Sequence, residues 1–489
     1  KNMKNIVSTL AIVAVLSGCS LIPEYMRPNI DMPAMWKGGK VAMEPATVNA
    51  DWWKNFNNKE LNALMDMALS NNNDLRAALA RVSQARADAR ISGAALLPTL
   101  DAKGNAGGTL SHRRGSDSRW ETNNSAGLTV GYELDLFGGN RAGVKAARAR
   151  LTGSVFDHDA LALVLMGDVA RQYFSLVSLR ERVAISESNL VNERNVMKIV
   201  QARFDAGSSS ALDVSRQKAE VATNEAALAS LKNQASIAEN ALSVLTGQAP
   251  RSFKLKTKVL EQVKVPKVPL TQPSSIVTQR PDIRKSEQDM IAANADIGVA
   301  RAALFPTINL GATALAAFSP VSQSLALAAT LVGPIFHGGA LQGGVQKANA
   351  REMELAENYR KIILTSLQEV ENALSSAKAA RARELSFGVA MAESRKTYSL
   401  SRDLYEAGSV DYQTMLDSQR TLLNAEDSHA QAQLELLNAI VDLYKALGGG
   451  WHSGPAKPAV FKQTGVVKPA VVVTPADLKP TVVVPKKKK

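Results

Sequence analysis

Apolar and polar residues alternate strictly from Leu128 to Leu136. Leu128, Val130, Tyr132, Leu134 and Leu136 share one side; Thr129, Gly131, Glu133 and Asp135 share the other. A period of two marks a strand whose faces meet different surroundings. The apolar face either packs on a core or faces lipid around a polar lumen, and the pattern alone leaves both settings open. A weaker alternation sets Ile308, Leu310, Ala312 and Ala314 against Thr307, Asn309, Gly311 and Thr313, with a partner strand before Phe336. Elsewhere the period is helical. Glu60 to Leu97 reads as helix, interrupted around Asn71-Asn72-Asn73 and ended by Pro98, which lacks an N–H. From Asn140 to Phe204 neither proline nor a turn cluster breaks the pattern. About 65 residues at 1.5 Å each make a rod of ~100 Å, and Ala340 to Tyr405 repeats it. Such rods need neighbours along their whole length. Val191, Val196, Val200 and Phe204 are expected to form a packing seam.

The chain is written twice. Asp74-Leu75-Arg76, running to Ala94-Ala95-Leu96-Leu97-Pro98-Thr99, recurs as Asp282-Ile283-Arg284, running to Ala302-Ala303-Leu304-Phe305-Pro306-Thr307. Phe137-Gly138-Gly139 recurs as Phe336-His337-Gly338-Gly339. Phe204-Asp205-Ala206-Gly207-Ser208 recurs as Tyr405-Glu406-Ala407-Gly408-Ser409, and Leu242 and Gly247 match Leu443 and Gly448. Four matches in one order mean a duplicated series of elements. The glycine turns after the rods reverse the chain and put two hairpin tips at one end of the molecule.

Composition changes the picture in three places. The net charge of +13 invites a nucleic-acid partner, but eight lysines against Asp477 in the stretch from His452 to Lys489 account for +7 of it. No stretch of the body interleaves aromatics with Arg and Lys as base-stacking surfaces require. The single cysteine, Cys19, excludes an internal disulfide framework. Lys1 and Lys4, the apolar run Ile6–Leu16 and then Leu16-Ser17-Gly18-Cys19 have the layout of a secretory signal ending in a lipidated cysteine. After residue 19 no apolar stretch is expected to reach the length of a membrane helix, so any membrane crossing falls to a closed β-barrel.

No catalytic constellation is visible. His112, His158, His337, His429 and His452 are scattered without His-Glu-x-x-His spacing, and no phosphate-binding glycine loop precedes Lys-Ser or Lys-Thr. Met26, Met32, Met35 and Met43 raise a soft-metal cargo such as copper or silver, but their irregular spacing in a proline-containing segment reads as packing. The sequence thus points to a non-enzyme with neither cofactor nor metal, apart from the lipid on Cys19.

Leu16-Ser17-Gly18-Cys19, Pro23-Glu24-Tyr25-Met26-Arg27-Pro28, Arg280-Pro281-Asp282-Ile283, Ala292-Ala293-Asn294-Ala295-Asp296-Ile297-Gly298, Ala303-Leu304-Phe305-Pro306 and Pro334-Ile335-Phe336-His337-Gly338-Gly339 together resemble the TolC family. The likeness is to its lipoprotein branch, the outer membrane factors of tripartite efflux pumps. That resemblance implies a mainly α fold with a membrane β-barrel. It implies a homotrimer in which each protomer gives four strands to a shared twelve-stranded barrel and its helices to a long periplasmic helical barrel. It divides the chain into a signal peptide (1–18), a lipidated extended segment (19–59), helices (60–97), a β-hairpin (98–137) and a long helical hairpin (138–249). An equatorial linker (250–275) precedes the second helix (276–305), β-hairpin (306–336) and helical hairpin (337–451), before a disordered tail (452–489). The implied gate matches Tyr405, Thr414 and Asp417; adaptor docking matches Gly207, Ser208, Gly408 and Ser409; Glu133 and Asp135 would face the lumen. Implied partners are a periplasmic adaptor, an inner-membrane pump of the resistance-nodulation-division type and outer-membrane lipid, with no nucleic acid. The place is the bacterial outer membrane, lipid-anchored and reaching into the periplasm. A type I protein-secretion duct and a periplasmic coiled-coil adaptor lipoprotein are the competing readings.

Overall fold

The structure, a computed structural model, describes residues 20–37, 49–112, 117–250, 257, 259–270, 272–318 and 321–449. Residues 1–18, Cys19, Met43 and the tail 452–489, with His452, lie outside the described residues, as does part of the middle segment 250–275.

One series of elements occurs twice. In the first copy, α1 (Lys59–Asn71) and α2 (Asn73–Ala94) lead to β1 (Thr99–Ser111) and β2 (Arg119–Leu134), then α3 (Gly139–Asp205) and α4 (Ala211–Leu245). In the second, α5 (Pro281–Ala302) leads to β3 (Thr307–Phe318) and β4 (Val321–Val332), then α6 (Ala340–Glu406) and α7 (Tyr412–Ala446). Both long helices have 67 residues and both return helices 35, so each rod extends ~100 Å.

Local chemistry sets the boundaries. The Asn72 side chain accepts from the backbone N–H groups of Asp74 and Leu75, while its own N–H donates to Ala68. One residue therefore closes α1 and opens α2. Its amide also donates to the Leu245 carbonyl at 3.0 Å, tying this kink to the end of α4. Pro281 starts α5, where a missing N–H costs nothing. The buried Arg280 guanidinium before it donates to Asp282 (2.7 Å), Glu369 (2.6 Å) and the Ala446 carbonyl (3.1 Å). The Arg-Pro-Asp motif is thus a staple across α5, α6 and α7. It also puts a cation on the carbonyl end of α7, as the helix dipole favours.

The strands form one antiparallel sheet in the order β1-β2-β3-β4. The two copies join in the middle, where Leu134 opposes Ile308 and Ser125 opposes Ala317. β2 starts nine residues before the Leu128 end of the alternating run and stops at Leu134, so Asp135 and Leu136 lie beyond it. β1 and β4 are the sheet's edges, and every residue in both is exposed, Leu325, Leu327 and Leu331 included.

The few aromatics concentrate away from the sheet. Trp52 stacks on Tyr444 at 5.0 Å and Phe56 meets Phe174 at 5.1 Å, pinning the N-terminal segment across α3 and α7. Leu260 and Val263 of the middle segment are buried in the same cluster, and the Leu260 N–H donates to Glu181. One 18-residue stretch of α3 is long and apolar enough to cross a membrane by length and composition, which corrects the expectation that none exists after residue 19. It is 56% buried inside the fold, where α3 packs against α2, α4, α5 and α7. The predicted seam is half right: Val196 and Val200 are buried, whereas Val191 and Phe204 are exposed. The period of 3.6 carries position 191 off the face that 196 and 200 share, whereas Phe204, eight residues after Val196, is exposed one residue before the helix ends at Asp205.

Candidate functional site

Each long helix ends in the same turn. Gly207 (φ 73°) and Gly408 (φ 77°) take the left-handed conformation that side chains resist. The Ser208 N–H then bonds back to the Arg203 carbonyl and the Ser409 N–H to the Leu404 carbonyl, each at 2.8 Å. No atom lies within 4 Å of where a Cβ would stand at either glycine, so both turns present bare backbone to solvent. Gly207, Ser208, Gly408 and Ser409 thus sit at the ends of two hairpins that pack together.

An apolar cluster of Val196, Val200, Val214, Tyr405, Tyr412, Met415 and Leu416 joins those hairpins. Polar ties surround it. Arg203 caps α6 by donating to the Tyr405 carbonyl at 2.9 Å, with its guanidinium 4.4 Å from the Tyr405 ring centre. Arg216 donates to Gln413 at 3.0 Å and Arg420 to Glu220 at 2.5 Å. The Tyr412 hydroxyl, pushed up by burial, stays protonated and donates to Gln217 at 2.6 Å. Gln217 in turn donates to the Glu193 carbonyl at 3.0 Å.

Thr414 and Asp417 lie one turn apart on the exposed face at the start of α7. The Asp417 carboxylate accepts from Gln413 at 2.9 Å, so Arg216, Gln413 and Asp417 form a chain of polar contacts across the hairpins. In the first copy the counterpart of Asp417, 201 residues earlier, is Arg216, so the two copies put opposite charges at matching places. Tyr405 does not share that face. Its side chain is 4% exposed and set edge-on against Tyr412, so it packs between the hairpins. It sits three residues before the turn, in the cluster with Val196 and Val200 of α3, Val214 of α4 and Tyr412 of α7.

Asp135 stands outside the strand in which its alternation placed it. It lies past the end of β2, and its carboxylate accepts from the Asn140 N–H (3.0 Å) and the Arg141 N–H (2.8 Å). It anchors the first turn of α3 instead of alternating with Glu133. Glu133 is in the strand, exposed, with the Asn140 amide at 3.3 Å.

Sequence reasoning missed Glu193. It is fully buried on the face of α3 that carries Val196 and Val200. Asn224 donates to one carboxylate oxygen at 2.5 Å, while the other has no hydrogen-bond partner. Burial pushes its pKa up to about 7, Asn224 opposing the rise and Glu220 adding to it. An acid at a position in register with the apolar seam, three residues before Val196, was the available signal. Among the described residues, no group of three or more His, Cys, Asp or Glu side chains could hold a metal ion.

The outer membrane efflux protein family matches residues 64–248 and 273–449, the two repeats. The pyoverdine export outer membrane protein OpmQ of Pseudomonas aeruginosa is 35% identical over 466 residues, covering 92% of this chain and 98% of its own. The toluene efflux pump outer membrane protein TtgI of Pseudomonas putida is 34% identical, covering 89% and 96%. The solved structure of the outer-membrane channel OprN superposes with a TM-score of 0.82 at 28% identity, over 88% of this chain and all of that one. The fold expected from the sequence, mainly helical with a membrane β-barrel, is the fold of these channels, and a strandless coiled-coil adaptor does not match it. Rods, paired tips and an open four-stranded sheet, joined to these likenesses, make the chain a member of the outer membrane efflux protein family.

Proposed function

We propose that this protein is the exit duct of a tripartite efflux pump of the resistance-nodulation-division type, conducting passively and gated at the helical tip. The observation that carries the proposal is the open sheet. A four-stranded sheet with two fully exposed edges and exposed Leu100, Leu128, Leu325 and Leu331 cannot enter lipid alone, because each edge leaves backbone groups unbonded. Three copies joined edge to edge form a closed barrel of twelve strands, with the rods continuing it into the periplasm. In that assembly Leu128 and Val130 face lipid and Glu133 faces water. Lipid on Cys19 anchors the chain to the outer membrane.

Asp417 and Thr414, exposed at the end of the tunnel, make the constriction. Three-fold symmetry turns one aspartate into a ring that holds cations and repels anions. The bare turns at Gly207-Ser208 and Gly408-Ser409 receive the adaptor, and the pump beneath supplies the energy. Relatives named for exporting pyoverdine and toluene favour small-molecule cargo over a secreted protein. The methionines do not favour copper: Met26 and Met35 point outward and Met32 packs on the core with Tyr25 and Ile30.

Planar-bilayer recording tests the proposal. The native protein should give small, cation-selective openings, and Asp417→Ala should lower that selectivity and raise conductance. Absence of any channel from both proteins would defeat the duct reading.

A further inference from the structure

We infer that a cavity between the two hairpins, bordered by Glu193, binds a primary alkylammonium ion whose head the Glu193 carboxylate receives. The site goes beyond the duct reading and stands whether or not the chain conducts. The cavity holds about 360 Å³, a size that small-molecule sites share. Residues of α3, α4 and α7 line it, so it lies between the first hairpin and the return helix of the second.

The buried acid is particular to the first copy. At the offset of 201 residues that relates α3 to α6 and α4 to α7, Glu193 matches Ser394 and its partner Asn224 matches Ala425. The duplicated position thus lies in an equally long helix without an acid. A fully buried carboxylate with an unbonded oxygen is costly, and an occupant that supplies a cation offsets the cost.

A neighbouring acid shows how the fold satisfies such a charge by itself. Glu426 of α7 is also buried, and Asn189 meets one of its oxygens at 3.2 Å and Arg395 the other at 2.9 Å. Glu193 has the amide, Asn224 at 2.5 Å, but among the described residues no cation. The charged groups around it are engaged elsewhere. Arg182 of α3, in the same cavity, donates through two nitrogens to Asp427 of α7 at 2.5 and 3.2 Å. Arg420 of α7 donates to Glu220 of α4, and Glu220 repels charge on Glu193. From α6 comes Tyr398, whose hydroxyl is pushed up by burial, Arg402 opposing and Glu193 adding to the rise. With Glu193 ionised, the lining charges of Glu193, Asp427 and Arg182 leave one negative charge uncompensated.

The rest of the lining chooses among cations. Ile185, Ala227, Leu231 and Leu423 give an apolar wall, which an alkyl chain can cover and a hydrated inorganic ion cannot. Asn424, Ser186 and Ser230 offer oxygens to the N–H groups of an ammonium head. None of the described lining residues is aromatic, as capture of a quaternary ammonium would require.

Isothermal titration calorimetry on the full chain in detergent tests the site. The probe is n-pentylammonium chloride, with potassium chloride and tetramethylammonium chloride as comparisons. Pentylammonium should bind and the other two should not. Burial pushes the Glu193 pKa up to about 7, so below that value the head must displace a proton. The Kd should therefore be roughly a hundredfold weaker at pH 5 than at pH 8. Glu193→Gln should weaken binding by about tenfold or more, whereas Glu426→Gln, at the acid that Arg395 already meets, should leave it unchanged. Ala227→Leu fills the cavity from an exposed position on α4 and should also abolish binding. It keeps Glu193, so it reads the site even if the glutamine variant fails to fold. Equal binding of potassium would overturn the alkylammonium class. Binding that survives either cavity variant, or no heat from pentylammonium at pH 8, would overturn the site.

Discussion

Glu193 is a buried acid with an unbonded oxygen beside the packed hairpin tips, and its raised pKa sets a pH dependence. Its folded pKa of about 7 lies above the unfolded value of ~4.3. The folded state therefore holds a proton that the unfolded state has released. The penalty is absent below the unfolded pKa, grows as pH rises between the two values, and is complete above the folded one. Glu193→Gln keeps the oxygen that Asn224 bonds and removes the charge. It should stabilise the protein by about 1–3 kcal/mol at pH 8 and change little at pH 4, as read by thermal melts monitored by circular dichroism. Equal effects at both pH values would mean that charge is not the cause. Backbone strain gives a second residue-scale expectation. Gly408→Ala meets open space and only the left-handed φ, so it should cost about 1 kcal/mol. Gly247 has the same φ sign, but its Cβ would fall 2.5 Å from the Asn71 carbonyl oxygen. Gly247→Ala should cost about 2–4 kcal/mol by the same melts, because backbone cannot step aside.

At the scale of elements, the Asp135 carboxylate decides how strand passes into rod. It supplies acceptors for two first-turn N–H groups of α3 that Gly138, lacking a side chain, cannot satisfy. Asp135→Ala should therefore destabilise by about 0.5–2 kcal/mol, and amide exchange should quicken at Asn140 and Arg141 before it does at mid-helix positions. The alternation that made β2 visible also pulled Asp135 into the strand, since a capping acid just past the end keeps the period of two by accident. Period and punctuation made the rods visible: a long stretch without proline, then Asp-Ala-Gly-Ser or Glu-Ala-Gly-Ser where only a glycine closes the helix. Burial around the helices was less visible. Tyr405 looks free by its place near a turn, yet it is enclosed by Val196 and Val200 of α3, Val214 of α4 and Tyr412 and Met415 of α7, which reach it only after folding. Glu193 is hidden for the same reason.

For the whole molecule, the setting of the sheet is the largest question, and opposite faces of β2 answer it separately. Leu128→Arg should cost about 2–4 kcal/mol of insertion at mid-bilayer, read as lost refolding into lipid vesicles. Thr129→Arg, on the other face, should insert normally and alter conductance instead. The duplicated order of elements, the rod lengths, the strand positions and the membership of the outer membrane efflux protein family are determined by the sequence itself. Each rests on local periodicity or on residues that act where they stand. Which face of each rod is covered, that Tyr405 packs between the hairpins, that Asp135 caps a helix, and that Arg280 staples three helices were decided by tertiary structure. Those outcomes depend on elements hundreds of residues apart arriving side by side, and no local pattern encodes the neighbour a side chain will meet.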